Sequence, residues 1–133
     1  MTDAPRERPL SPHALHWRWH ITMVTSIVHR VTGVGLYLGA LILAAWLVAL
    51  ALGDEQYAAM MSLLGSPLGR IVMIGMTLSV FFHLAKGVQH LIWDFGAGFK
   101  LPTANMGAVV CLAFSVVATL VIWVMAALTG ALS

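Results

Sequence analysis

The sequence predicts an all-α integral membrane protein whose three transmembrane helices form part of a multi-chain helical bundle. Three observations lead there. Of 133 residues, 60% are hydrophobic and only 9% are Asp, Glu, Lys or Arg, against about 25% charged in an average soluble domain. The charged side chains leave the stretches 31–52, 71–85 and 101–133 empty, and about 20 apolar residues suffice to cross a hydrocarbon core. What lies outside those stretches is too short for a soluble catalytic domain.

The elements follow in order. Residues 1–20 carry Pro5, Pro9 and Pro12 with three arginines and three histidines, and they are expected to form a non-helical cytoplasmic arm. Residues 21–133 are expected to form the membrane domain. Helix I is predicted over about 21–52, polar in its first third and stopped by Gly53, Asp54 and Glu55. Helix II is predicted over about 67–94, because Pro67 at the first turn lacks an N–H that would be unpaired there anyway. Gly96, Gly98 and Pro102 are expected to break the chain. An apolar, lipid-facing helix III then covers about 104–129.

A signal peptide has a short basic segment and an apolar core of about 7 to 15 residues. Here 30 mostly polar residues precede an apolar run of 22, so a retained helix is expected. Asp3 and Glu7 among the arginines argue against an organellar transit peptide, and a bacterial inner membrane is the expected location. Arg6, Arg8 and Arg18 precede helix I, Lys86 and Lys100 flank the second loop, and the C-terminus has no basic side chain. Cytoplasmic segments retain more Lys and Arg, which predicts a cytoplasmic N-terminus and a periplasmic C-terminus. Arg70 runs against this pattern. Trp17, Trp19 and Trp93 then fall near the inner interface and Trp46 and Trp123 near the outer.

A net charge of +2 is too small to suggest a nucleic-acid partner. The single cysteine, Cys111, excludes disulfide frameworks, CxxC pairs and the CxxCH attachment of c-type haem, and it reads as a packing residue.

Ionisable groups inside spans are costly to insert and are functional candidates by default. On helix II, His83, Gly87, His90 and Asp94 recur at helical spacing and form one stripe, which is expected not to face lipid. At about 1.5 Å per residue, His83 lies roughly 16 Å below the inner interface. Haem iron would satisfy one nitrogen of an imidazole at that depth, and Gly87 would let a flat ring approach the backbone. The alternative is a hydrogen bond from His83 to a Ser or Thr on a neighbouring helix. On helix I, Thr22, Ser26, Arg30, Gly33 and Tyr37 form a second polar stripe, with His29 beside it. Ser26 and Arg30 supply the donors that a quinone carbonyl needs. Arg30 and His29 could equally meet haem propionates, or Arg30 could simply snorkel to headgroups. Lys86 lies off the His83 stripe and is expected to snorkel inward or to meet an acidic group of a partner. His13, His16 and His20 are too loosely spaced for a metal site, and the methionines read as lipid or helix contacts.

Three segments carry a resemblance when taken together: Arg8 to His13, Ser26 to Gly33 (SIVHRVTG), and His83 to Gly96 (HLAKGVQHLIWDFG). They resemble the cytochrome b556 family of succinate dehydrogenase membrane anchors, in order and spacing, from residue 8 to about 96. The resemblance implies the larger membrane anchor of a four-subunit succinate:quinone oxidoreductase in the tricarboxylic acid cycle. A second anchor subunit would supply three more helices and the other axial histidine, and iron–sulfur and flavoprotein subunits would dock on the inner face. It implies haem b shared with the second anchor and ubiquinone as substrate. His83 looks like the axial ligand of the haem iron, Ser26 and Arg30 like quinone contacts, and His29 and Arg30, together with Gly87 and His90, like haem-pocket residues. Two departures stand out. Gln89 occupies a position where the family usually has Arg, and Leu15-His16-Trp17-Arg18 stands where a Tyr-Arg pair is common. The competing readings are a haem-free structural anchor, a transport subunit using His83, His90 and Asp94 as a relay, and the equivalent subunit of a fumarate reductase.

Overall fold

A computed structural model of the chain describes residues 18–130, so most of the expected arm lies outside the described residues. It has four helices: α1 Ile21–Leu52, α2 Asp54–Gly65, α3 Pro67–Asp94 and α4 Leu101–Leu128. Three of them, α1, α3 and α4, are long and apolar enough to cross a membrane. They form an antiparallel bundle in which α3 packs against both α1 and α4.

The elements differ from expectation in two places. Asp54 and Glu55 do not only stop α1. They occupy the first turn of α2, where carboxylates are favoured by the positive end of the helix dipole. Gly53, at φ +117°, makes the turn between the two helices. Likewise Pro102 does not end a loop but sits in the first turn of α4, which therefore begins at Leu101 and not near 104. A proline there forgoes only an N–H that has no intrahelical partner.

The corner between α2 and α3 is tightly built. Ser66 caps α3, its Oγ accepting from the Gly69 N–H at 3.1 Å and donating to the Leu63 carbonyl at 2.7 Å. Arg70 Nε donates to the Gly65 carbonyl at 2.8 Å. A β-carbon on Gly69 would collide with the carbonyls of Leu63 and Leu64.

The packing is inside-out relative to a soluble protein. Large apolar side chains such as Val34, Leu38, Leu84, Leu91 and Leu120 are exposed, while the buried set includes Thr25, Lys86, Gln89, Ser115 and Thr119. Helices in lipid gain little from hiding apolar surface from one another, so small and polar residues make the contacts. Helix α4 is accordingly not lipid-facing all round. Ala108, Cys111, Ser115 and Thr119 are buried along one face. Further contacts fix the bundle: Phe81 meets Phe114 edge to face at 5.9 Å, Trp123 Nε1 donates to Thr77 Oγ1 at 3.4 Å, and the bare backbone of Gly39 approaches Met76.

Candidate functional site

The N-terminal half of α1 and the C-terminal half of α3 meet in a cluster of three histidines. His29 and His83 stack with ring centroids 4.0 Å apart and planes inclined by 14°. His90 meets His29 edge-on at 5.0 Å and Trp93 at 5.1 Å. The sequence separates His29 from His83 by more than fifty residues, and the antiparallel packing of α1 on α3 brings them together.

The hydrogen bonds define how His83 is held. Its Nδ1 lies 3.2 Å from the His29 carbonyl oxygen and 3.3 Å from Thr32 Oγ1. A carbonyl can only accept, and the Thr32 hydroxyl already donates its proton to the same carbonyl at 2.9 Å. Nδ1 must therefore carry the proton and share it between both oxygens. In the neutral ring this leaves the lone pair on Nε2, which makes no hydrogen bond among the described residues. Such an arrangement, one nitrogen donating to a carbonyl and the other available, is the way a ligating histidine is oriented. Gly33 permits it: a β-carbon there would lie 3.3 Å from His83 Cε1.

Two further observations suit a flat, polar-edged group beside these rings. Among the described residues, His29 Nε2 is buried and has no hydrogen-bond partner, and a β-carbon on Gly87 would touch nothing within 4 Å. The described residues contain no group of three His, Cys, Asp or Glu able to hold a metal ion by themselves.

The other expected site residues are arranged differently. Ser26 is half-buried and Arg30 exposed, and neither makes a hydrogen bond or ion pair among the described residues. The stripe on α1 is divided, because Gly33 faces His83 whereas Tyr37 is exposed. Along α3, His83 and His90 face His29, but Asp94 is exposed and makes no hydrogen bond to His90 among the described residues. No hydrogen-bonded relay through His83, His90 and Asp94 therefore forms within them.

Lys86 corrects the expectation most clearly. It does not snorkel but is fully buried, at 0% exposure. Its Nζ donates to Gln89 Oε1 at 2.7 Å and lies 4.9 Å from the centre of the Trp93 ring. Gln89 Nε2 in turn donates to the Ala104 carbonyl on α4 at 3.3 Å. Gly107 makes room for this, since a β-carbon there would collide with Gln89 Nε2. Thr32, Gln89 and the His29 carbonyl were not among the expected site residues. The spacing of Thr32 three residues after His29 was the one available signal.

The chain matches the family described as succinate dehydrogenase/fumarate reductase transmembrane subunit over residues 4–122. It is 33% identical over 118 residues to the succinate dehydrogenase cytochrome b556 subunit of Rickettsia felis, covering 89% of this chain and 92% of that one. It is 35% identical over 118 residues to the cytochrome b556 subunit of Paracoccus denitrificans, covering 88% and 91%. It is 31% identical over 115 residues to the mitochondrial cytochrome b560 subunit of Homo sapiens, covering 85% and 68%.

Proposed function

Because the chain belongs to the succinate dehydrogenase/fumarate reductase transmembrane subunit family, we propose that it is the haem b- and quinone-binding anchor of a succinate:quinone oxidoreductase. In that role it carries electrons from the iron–sulfur subunit to ubiquinone. The observation that carries this reading is the state of His83, whose Nδ1 proton is held by the His29 carbonyl and Thr32 while Nε2 makes no hydrogen bond among the described residues.

His83 Nε2 would hold the haem iron from this chain, and a histidine of the second anchor subunit would hold it from the other. His29, Arg30 and His90 would face the propionates, and Gly87 would leave the backbone open to the ring. Bound there, haem b would supply a one-electron redox site. The Ser26 hydroxyl and the Arg30 guanidinium would hold the quinone carbonyl and stabilise negative charge as it develops on the oxygen. Both lie towards the N-terminal end of α1, the end we assign to the cytoplasmic side, where the iron–sulfur and flavoprotein subunits would dock. The C-terminus would then be periplasmic in a bacterial inner membrane. This chain does not itself oxidise succinate. The family description also covers fumarate reductases, and the same residues would serve the reverse direction with a low-potential quinone.

The test is a dithionite-reduced minus oxidised visible spectrum of the native complex, with wild-type chain and with His83→Ala. A b-type α-band that is present in the first and lost or shifted in the second is expected. No band in the wild type would leave a haem-free anchor.

A further inference from the structure

The seam between α3 and α4 holds a cation that the reading above does not use. Lys86 is sealed inside the chain, one helical turn after His83 and one before His90. Burying an ammonium is unfavourable unless it is paired, yet no carboxylate pairs with it among the described residues. Its partners are neutral: the Gln89 carbonyl oxygen and the face of Trp93. A carboxamide oxygen and an indole face stabilise a cation without cancelling its charge.

The pair is built to stay fixed. The Gln89 amide nitrogen is tied to the Ala104 carbonyl, which turns the amide oxygen towards Lys86, and Gly107 supplies the space. Trp93 contacts His90, and His90 contacts His29, which stacks on His83. The amine thus stands a few ring contacts from the histidine cluster, in a low-dielectric region where a charge acts over long range.

We propose that Lys86, held by Gln89 and Trp93 in the α3–α4 seam, is a fixed positive charge that raises the reduction potential of the electron-accepting site at His83. The inference rests on the haem reading. An arriving electron adds negative charge at that site, and a nearby uncompensated cation favours the reduced form. Lys86 does this through its field and touches neither cofactor nor substrate.

The test is a redox titration of the b-type α-band in the purified native complex carrying wild-type chain, Lys86→Gln or Lys86→Arg. Glutamine removes the charge and keeps an N–H donor on a side chain one atom shorter, whereas arginine keeps the charge. With haem content unchanged, the midpoint is expected to fall in Lys86→Gln and to stay near wild type in Lys86→Arg. An unchanged midpoint in Lys86→Gln, or an equal fall in both variants, overturns the proposal. If Lys86→Gln does not assemble, Lys86→Met is titrated in its place. Loss of haem from both neutral variants makes the residue structural and equally overturns the proposal. A wild-type complex without a b-type band would fell the haem reading instead.

Discussion

The Nδ1 proton of His83 has two acceptors of different kinds, a main-chain carbonyl and a hydroxyl. Removing a group that orients a ligating histidine lowers metal affinity by roughly 10- to 100-fold. For Thr32→Val the carbonyl remains, so a loss of about tenfold, at the lower end of that range, is expected in haem retention during a chelating or detergent wash. Gly33→Leu should be more severe. The Gly33 β-position already lies 3.3 Å from His83 Cε1, and a branched side chain there would displace the ring. We expect loss of the b-type band with helical circular dichroism preserved. At this scale helical spacing put His83 and His90 on one stripe of helix II and singled out His29 beside the polar stripe of helix I, but it did not bring the three together. It could not reveal that the acceptor is a carbonyl, because a main-chain oxygen has no residue signature. Nor could it place Lys86, since a lysine near a span end serves equally well for snorkelling or for burial, and only the position of α4 decides.

At the scale of elements, two glycines set how closely helices and corners approach. Gly69 sits where the carbonyls of Leu63 and Leu64 leave no space for a β-carbon, so Gly69→Ala should open the α2–α3 corner. Overpacking of this kind costs about 1–3 kcal/mol, measurable as a lower midpoint of thermal unfolding in detergent. Gly107 and Gln89 share one volume. Gly107→Ala should therefore destabilise the wild-type chain but do little in a Gln89→Ala background, a coupling of roughly 0.5–3 kcal/mol in a double-mutant cycle. The three spans were legible because charge-free runs of that length have few other uses. Helix α2 was not, because Asp54 and Glu55 suit a helix start as well as a stop. Pro102 misled in the same way: a proline breaks a helix interior but opens a helix end.

At the scale of the whole molecule, most large apolar side chains of the described residues are exposed, while Thr25, Lys86, Gln89, Ser115 and Thr119 are buried, the pattern expected of helices that meet lipid. The side chains of Ser26 and Arg30 have no partner among the described residues, and under the proposed function they would act in the assembled complex. We expect Ser26→Ala and Arg30→Ala to lower succinate–quinone activity by about 100- to 1,000-fold, as for removal of a transition-state donor. Succinate–dye activity should be unchanged, and equal loss of both would indicate failed assembly. One chain thus offers candidate donors, and under the proposed function the remaining walls of the pocket would be supplied by other subunits. One feature also orders events in time. The acceptor that pins the His83 proton is the carbonyl of His29 on α1, and α1 reaches α3 only by way of α2. Before the two helices dock, the imidazole is free to carry its proton on either nitrogen and to turn about its bonds. The ring takes a defined orientation only after docking, so under the proposed function haem insertion would follow the folding of α1 onto α3.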